Sequence, residues 1–172
     1  MRSPEPAPAS FTEYVVARRA ALLRTAYLLT GDVHDAEDLV QVALAKVVPR
    51  WSRIVGEPEP YVRKVLVHEN ISRWRRRRWR ETSVEVAPEI AAAAGGPERE
   101  DVWVLRDALA TLTPKQRAVV VLRYLDDLSE QQTAEALGVS RGTVKSQTHA
   151  ALARLRERRP DLHPEWSEAV QR

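Results

Sequence analysis

The chain contains no cysteine, so neither a disulfide framework nor a thiolate metal site is available to it. Its four histidines are scattered along the sequence without metal-ligand spacing, which leaves no readable zinc site. Glycine is scarce at six residues, and none of them forms a phosphate-cradling loop or a nucleophile elbow. No apolar run approaches the roughly 20 residues that a membrane span needs. The N-terminal MRSPEPAP has no apolar segment behind it, which predicts no secretory signal and a cytoplasmic protein. No strand-type alternation is visible, and no internal repeat. Taken together, these absences argue against an enzyme, a metalloprotein, a secreted domain and a membrane protein.

What is present is helical and unevenly charged. Net charge is only +3, yet the sequence pI is near 9.5, so the imbalance lies in how the charges are distributed. Basic clusters flank an acidic middle, and such clusters attract polyanions, of which nucleic acid is the usual one. Two clusters stand out. The stretch LSEQQTAEALGVSRGTV at 128–144 reads as two helices joined by a tight turn at Gly138, Val139 and Ser140. Far upstream, RWRRRRWR at 73–80 packs six arginines and two tryptophans into eight residues.

Helical periodicity and breakers divide the rest. Residues 1–9 are a Pro/Ala-rich tail, predicted to be disordered. A first helix fits 10–29, capped by Ser10 and stopped by Gly31. A second fits 33–48, capped by Asp32 and ended or kinked by Pro49. Residues 52–60, with Gly56, Pro58 and Pro60, read as a loop. A third helix, from Tyr61 to about Arg80, is apolar around most of its first half and almost purely Arg and Trp in its second. Trp74, on the Val67–Ile71 side, is read as closing the core. Residues 82–100 form a flexible Glu/Ala/Gly/Pro linker. Helices at 101–112 and 114–125 then precede the helix-turn-helix pair, and 161–172 is a tail. The predicted fold is all-α: two small helical domains, 10–81 and 101–160, joined by a flexible linker.

In the C-terminal domain, helical spacing puts Val144, Thr148, Ala151 and Leu155 on one face, facing Ala134, Leu137 and the helix from Pro114. Lys145, Ser146 and His149 fall on another face, and Arg141 and Thr143 lie at the helix start, where a recognition helix meets base edges and phosphates. In the N-terminal domain, the arginines of 73–80 suit phosphates and the tryptophans suit stacking on unpaired bases. Asp38 and Gln41 share an exposed face of the second helix.

Read in order, the segments LLTGD (28–32), AEDLVQ (36–41), YVRKVLV (61–67), QRAVVVLRY (116–124), GTVKSQ (142–147) and ALARLR (151–156) resemble the sigma factors of bacterial RNA polymerase. The group resembled is the compact extracytoplasmic-function group of the sigma-70 family, and more narrowly its actinobacterial sigma-E-like members. The resemblance runs over residues 10–160. It implies that a sigma-2-like domain binds core polymerase at the β′ clamp, through positions matching Asp38 and Gln41, and also binds the −10 promoter element. On the −10 side the matching positions are His68, Glu69, Ser72, Arg73, Arg75, Arg76, Arg77 and Arg78, and 52–60 matches a loop that captures a flipped base. A sigma-4-like domain would read the −35 element with Arg141, Thr143, Lys145, Ser146 and His149, next to the β flap. No cofactor, metal or catalytic residue is implied, and an anti-sigma protein is left open as a further partner. The readings that stand against it are a free-standing helix-turn-helix regulator and a helical adaptor for an acidic protein.

Overall fold

A computed structural model describes residues 10–81 and 100–160. The predicted N-terminal tail, most of the linker and the C-terminal tail lie outside the described residues.

Helix α1 (Phe11–Thr30) starts at a reciprocal cap. The Ser10 hydroxyl accepts the Glu13 amide at 3.1 Å, and the Glu13 carboxylate accepts the Ser10 amide at 3.2 Å. It stops at Gly31, whose φ of 78° lets its amide turn back onto the Tyr27 carbonyl at 2.7 Å. Asp32 then caps α2 (Val33–Val47) by accepting the Asp35 amide. As expected, the α-helix ends just before Pro49. Pro49 opens a tighter 3₁₀ turn over Val48–Arg53, where its missing N–H costs nothing. That turn swings Trp51 back onto Phe11 and Tyr14, with ring centroids 5.2 Å away in each case.

Helix α3 (Glu59–Glu81) begins two residues earlier than the sequence predicts. Pro60 reads as a loop residue in sequence, but proline is at home in the first turn of a helix. Tyr14, Leu22, Ala26, Leu39, Ala43, Val47, Val62 and Leu66 pack α1, α2 and α3 into one buried cluster.

The C-terminal half comprises α4 (Glu100–Ala110), α5 (Pro114–Val120), α6 (Glu130–Leu137) and α7 (Arg141–Arg158). Thr113 and Ser129 each form a capping box, with Gln116 and Gln132 respectively. The helix predicted to run to Leu125 loosens at Val121–Leu125 into a π-type turn. Asp127 follows in the left-handed region at φ 53°, a conformation Asp tolerates better than most residues.

The two halves do not stand apart. Leu28 and Leu29 of α1 and Val67 of α3 share one buried cluster with Leu109, Leu112, Val121 and Leu122. Arg117 of α5 strengthens the join. Its guanidinium donates to the Leu29 carbonyl at 2.9 Å and to the carbonyls of Leu109, Ala110 and Leu112, capping the C-terminal ends of α1 and α4 together. Burial pulls the Arg117 pKa below the usual guanidinium range.

Candidate nucleic-acid and polymerase interfaces

The helix-turn-helix is built from two end signals. Gly138, at φ 65°, ends α6 with its amide on the Ala134 and Glu135 carbonyls. Ser140 caps α7 by accepting the Thr143 amide at 3.1 Å. Val144, Ala151 and Leu155 are buried, and Val144 meets Val119 and Ala134. Thr148, predicted on the same face, is half-buried and bonds its hydroxyl to the Val144 carbonyl. With that face committed, Arg141, Thr143, Lys145, Ser146 and His149 all lie exposed. One residue the sequence reading missed belongs with them. Glu130, at the start of α6, lies 3.5 Å from Arg141 and 3.8 Å from Lys145. Its position three residues before Thr133 carried no signal of that, because the pairing is made across the turn.

On α3 the arginines divide. Arg75 and Arg76 are exposed. Arg73 and Arg77 turn toward α2, where the Asp35 carboxylate lies 2.6 Å from Arg77 and 3.7 Å from Arg73. The hydrogen bond from Arg77 holds the Asp35 carboxyl below its usual range. Arg78 lies over the Trp74 ring, 5.3 Å from its centroid. Trp74 does not close the core: it is 42% exposed, because α3 outruns the helices it packs on. Trp79 is more exposed still.

The remaining α3 positions fall out differently. His68 reaches the C-terminal domain, its Nε2 3.1 Å from the Ala136 carbonyl. Ser72 is half-buried. Glu69 is 8% exposed and turned inward, ion-paired with Lys46 of α2, so it is not part of the open arginine face. On α2, Asp38 and Gln41 are exposed together, with Val42 beside them. Asp38 is also 3.6 Å from Arg73. Between α2 and α3 the irregular stretch 54–58 carries Gly56 at φ 80° and Val55, which is 97% exposed.

A partly buried polar chain, unforeseen in the sequence, ties the base of α3 to both halves. The Glu59 carboxylate accepts the Tyr14 hydroxyl at 2.6 Å, Arg18 in a two-pronged pair at 2.8 and 3.0 Å, and Arg63 at 3.0 Å. Burial pushes the Glu59 pKa up, but the hydrogen bonds from Arg18 and Tyr14 and the Arg63 charge outweigh it and leave it below the ordinary value. Burial, and next the bond to Glu59, drive the Tyr14 hydroxyl far up. Arg63 also reaches Asp126 at 3.4 Å, and Asp126 accepts the Thr25 hydroxyl at 3.0 Å. Burial raises the Asp126 pKa despite Arg63. Among the described residues, no group of His, Asp or Glu is placed to hold a metal ion.

Comparison with known proteins places both halves. Residues 14–80 match the Sigma-70 region 2 family, and residues 103–155 match Sigma-70, region 4. The chain is 45% identical to the RNA polymerase sigma-E factor of Streptomyces coelicolor over 86% of this chain and 84% of that one. It is 33% identical to the ECF RNA polymerase sigma factor SigL of Mycobacterium tuberculosis over 80% of this chain and 81% of that one. Among solved structures, the sigma factor RpoE of Bartonella quintana, in complex with the anti-sigma factor NepR, superposes with a TM-score of 0.73 at 26% identity. That superposition covers 86% of this chain and 94% of that one. The helical architecture, the paired region 2 and region 4 matches and the identity to named sigma factors converge: the chain belongs to the sigma-70 family of RNA polymerase sigma factors, in its extracytoplasmic-function group, and is a transcription initiation factor.

Proposed function

We propose that the two domains divide promoter recognition as follows. The exposed Asp38–Gln41 face of α2 docks on the β′ clamp of core polymerase, with Val42 adding apolar contact. Arg75 and Arg76, with Arg73, Arg77 and Arg78 beside them, hold phosphates of the −10 region, and His68 and Ser72 face its bases. Exposed Val55 in the 54–58 stretch offers an apolar surface to a base flipped out of the opened strand. Unstacking that base costs a few kcal/mol, and holding it shifts the equilibrium toward open DNA. Glu69, buried with Lys46, acts as a positioning residue for that helix and not as a DNA contact. Arg141, Thr143, Lys145, Ser146 and His149 of α7 enter the major groove of the −35 element, close to the β flap. Lys145 and Arg141 are aimed by Glu130.

No covalent step falls to this chain; the polymerase performs the chemistry in the cytoplasm, with no cofactor on the sigma side. An anti-sigma protein is a fitting further partner, since relatives of this fold were solved with one. The observation that carries the reading is the ordered pair of matches, region 2 and then region 4, over most of the chain. A free-standing helix-turn-helix regulator accounts for the second match only. Permanganate probing of a promoter tests the division: with core polymerase and this chain, thymines near −10 become reactive. The same protection and reactivity with core polymerase alone would refute it.

A further inference from the structure

Helix α7 begins against its own dipole. Its first residue is Arg141, Lys145 follows one turn later, and its first turn holds no acidic residue. The N-terminal end of a helix carries partial positive charge, so cations there are unfavourable. Two like charges at i and i+4 also repel each other. Such a start suits a polyanion and is poorly served by water alone.

The negative charge that α7 lacks is supplied by α6. Glu130, the first residue of α6, brings one carboxylate oxygen to 3.5 Å from the Arg141 guanidinium and 3.8 Å from the Lys145 ammonium. Its side chain is 29% exposed, whereas those of Arg141 and Lys145 are 60% and 63% exposed. The Ser129–Gln132 capping box fixes the turn that carries it. Pairs this open to solvent add about 0–1 kcal/mol to folding. Folding therefore gains little from the arrangement, and its consequence lies in binding.

In a helix-turn-helix the first helix crosses the phosphate backbone while the second enters the groove. Glu130 stands where the first turns of the two helices meet, so it travels with Arg141 and Lys145 to the DNA surface. On a duplex of arbitrary sequence those cations find only phosphates. Taking them means leaving the Glu130 oxygen and setting an unpaired carboxylate beside a polyanion. On a matching element, one cation can reach base-edge acceptors such as guanine O6 and N7, while the other keeps the carboxylate neutralised. The same negative charge costs more off target than on it.

Resting on the assignment of α7 to the −35 element, we infer that Glu130 is a specificity-determining residue: its carboxylate holds Arg141 and Lys145 back from phosphate and suppresses binding to duplexes that lack the element. It reads no base itself. It sets the contrast between right and wrong sequence.

Glu130→Gln keeps the shape of the side chain and removes its charge. The variant is assembled with core polymerase and titrated onto two promoters that share a −10 element, one with an intact and one with a scrambled −35 element, over a range of salt. One further neutralised phosphate, at a slope of about 0.9, is worth about fivefold between about 1 M and about 0.15 M salt. Glu130→Gln should therefore raise affinity for the scrambled promoter by about fivefold at about 0.15 M salt and steepen its salt slope by about 1. Affinity for the intact promoter should change by less than about twofold, so the contrast between the two falls. Glu130→Asp, which retains the charge, should behave as wild type. With Arg141→Ala and Lys145→Ala also in place, Glu130→Gln should no longer raise affinity for the scrambled promoter, a dependence that a merely structural role would not show. An unchanged contrast and salt slope in Glu130→Gln, or weaker binding to the intact promoter with no gain on the scrambled one, would overturn the inference. A wild-type holoenzyme that binds both promoters equally defeats the −35 assignment beneath it.

Discussion

Asp38 and Arg73 face each other across α2 and α3, carboxylate to guanidinium at 3.6 Å, so the proposed polymerase contact and a proposed DNA contact share one ion pair. Asp38 is 67% exposed at its side chain, and pairs that open to solvent contribute about 0–1 kcal/mol to folding. The consequence of its loss therefore lies in binding. Asp38→Ala should lower affinity for core polymerase by about tenfold, near 1.4 kcal/mol, while the melting temperature moves by only a few degrees. Equilibrium titration of labelled protein with core enzyme, alongside thermal unfolding, measures both.

Lys145 and Arg76 should fail in different ways. Lys145 lies on the exposed face of α7 and Arg76 on the open side of α3; the roles proposed for them are base edges and phosphate respectively. Lys145→Ala should cost about 1–3 kcal/mol on promoters with an intact −35 element and little where that element is scrambled. Arg76→Ala should weaken all promoters alike and reduce the salt slope of holoenzyme binding by about 1. A promoter panel at several salt concentrations distinguishes the two patterns.

Glu59 links stability to pH with a definite sign. Its folded pKa lies below the ordinary 4.5. Its contribution is therefore complete above 4.5 and is lost as pH falls through the lower folded value. Glu59→Gln should cost about 2 kcal/mol at neutral pH, as expected for hydrogen bonds to a charged group, and should flatten the acid limb of the stability profile. Asp126 has the opposite sign: its raised pKa favours the folded state in acid, and that contribution is lost as pH rises through the folded value. Urea unfolding of wild type, Glu59→Gln and Asp126→Asn across the acid range separates the two groups.

Among the described residues Arg117 pairs with no carboxylate; it is satisfied by the carbonyls of Leu29, Leu109, Ala110 and Leu112. Arg117→Leu leaves those groups short of donors and should destabilise by about 3 kcal/mol. Arg117→Lys should recover only part of this, because an ammonium cannot fan its donors as a guanidinium fork does. Chemical denaturation of the two variants gives the comparison.

Much of the fold can be read from end signals in the chain. Ser10 with Glu13, Gly31 with Asp32, and Gly138 with Ser140 are each local devices, and each marks a helix boundary within a residue of where it falls. The misplaced boundaries have local causes too. Pro60 is compatible with both a loop and a helical first turn, and only the long-range bonds of Glu59 to Tyr14 and Arg18 decide for the helix. Nothing in the run VLRYL announces a π-type turn. Trp74 follows the apolar period of α3, but periodicity shows which way a residue points and not whether a neighbour extends that far.

The larger omission is long-range. Leu28, Leu29 and Val67 look in sequence like ordinary core positions of the first domain, and helical spacing cannot say that the second domain covers them. The exposed α7 face was legible because capping and apolar spacing fix a helix's rotation. The carboxylates that hold its arginine and lysine, and those that hold Arg73 and Arg77, were not, because Glu130 and Asp35 act across helix boundaries.

Run-off transcription is the most direct test of the central claim. On a template carrying matched −10 and −35 elements, core polymerase mixed with this chain should yield a transcript of one defined length, absent with either component alone and absent when the −35 element is scrambled. Identical transcripts with and without the chain would contradict the account.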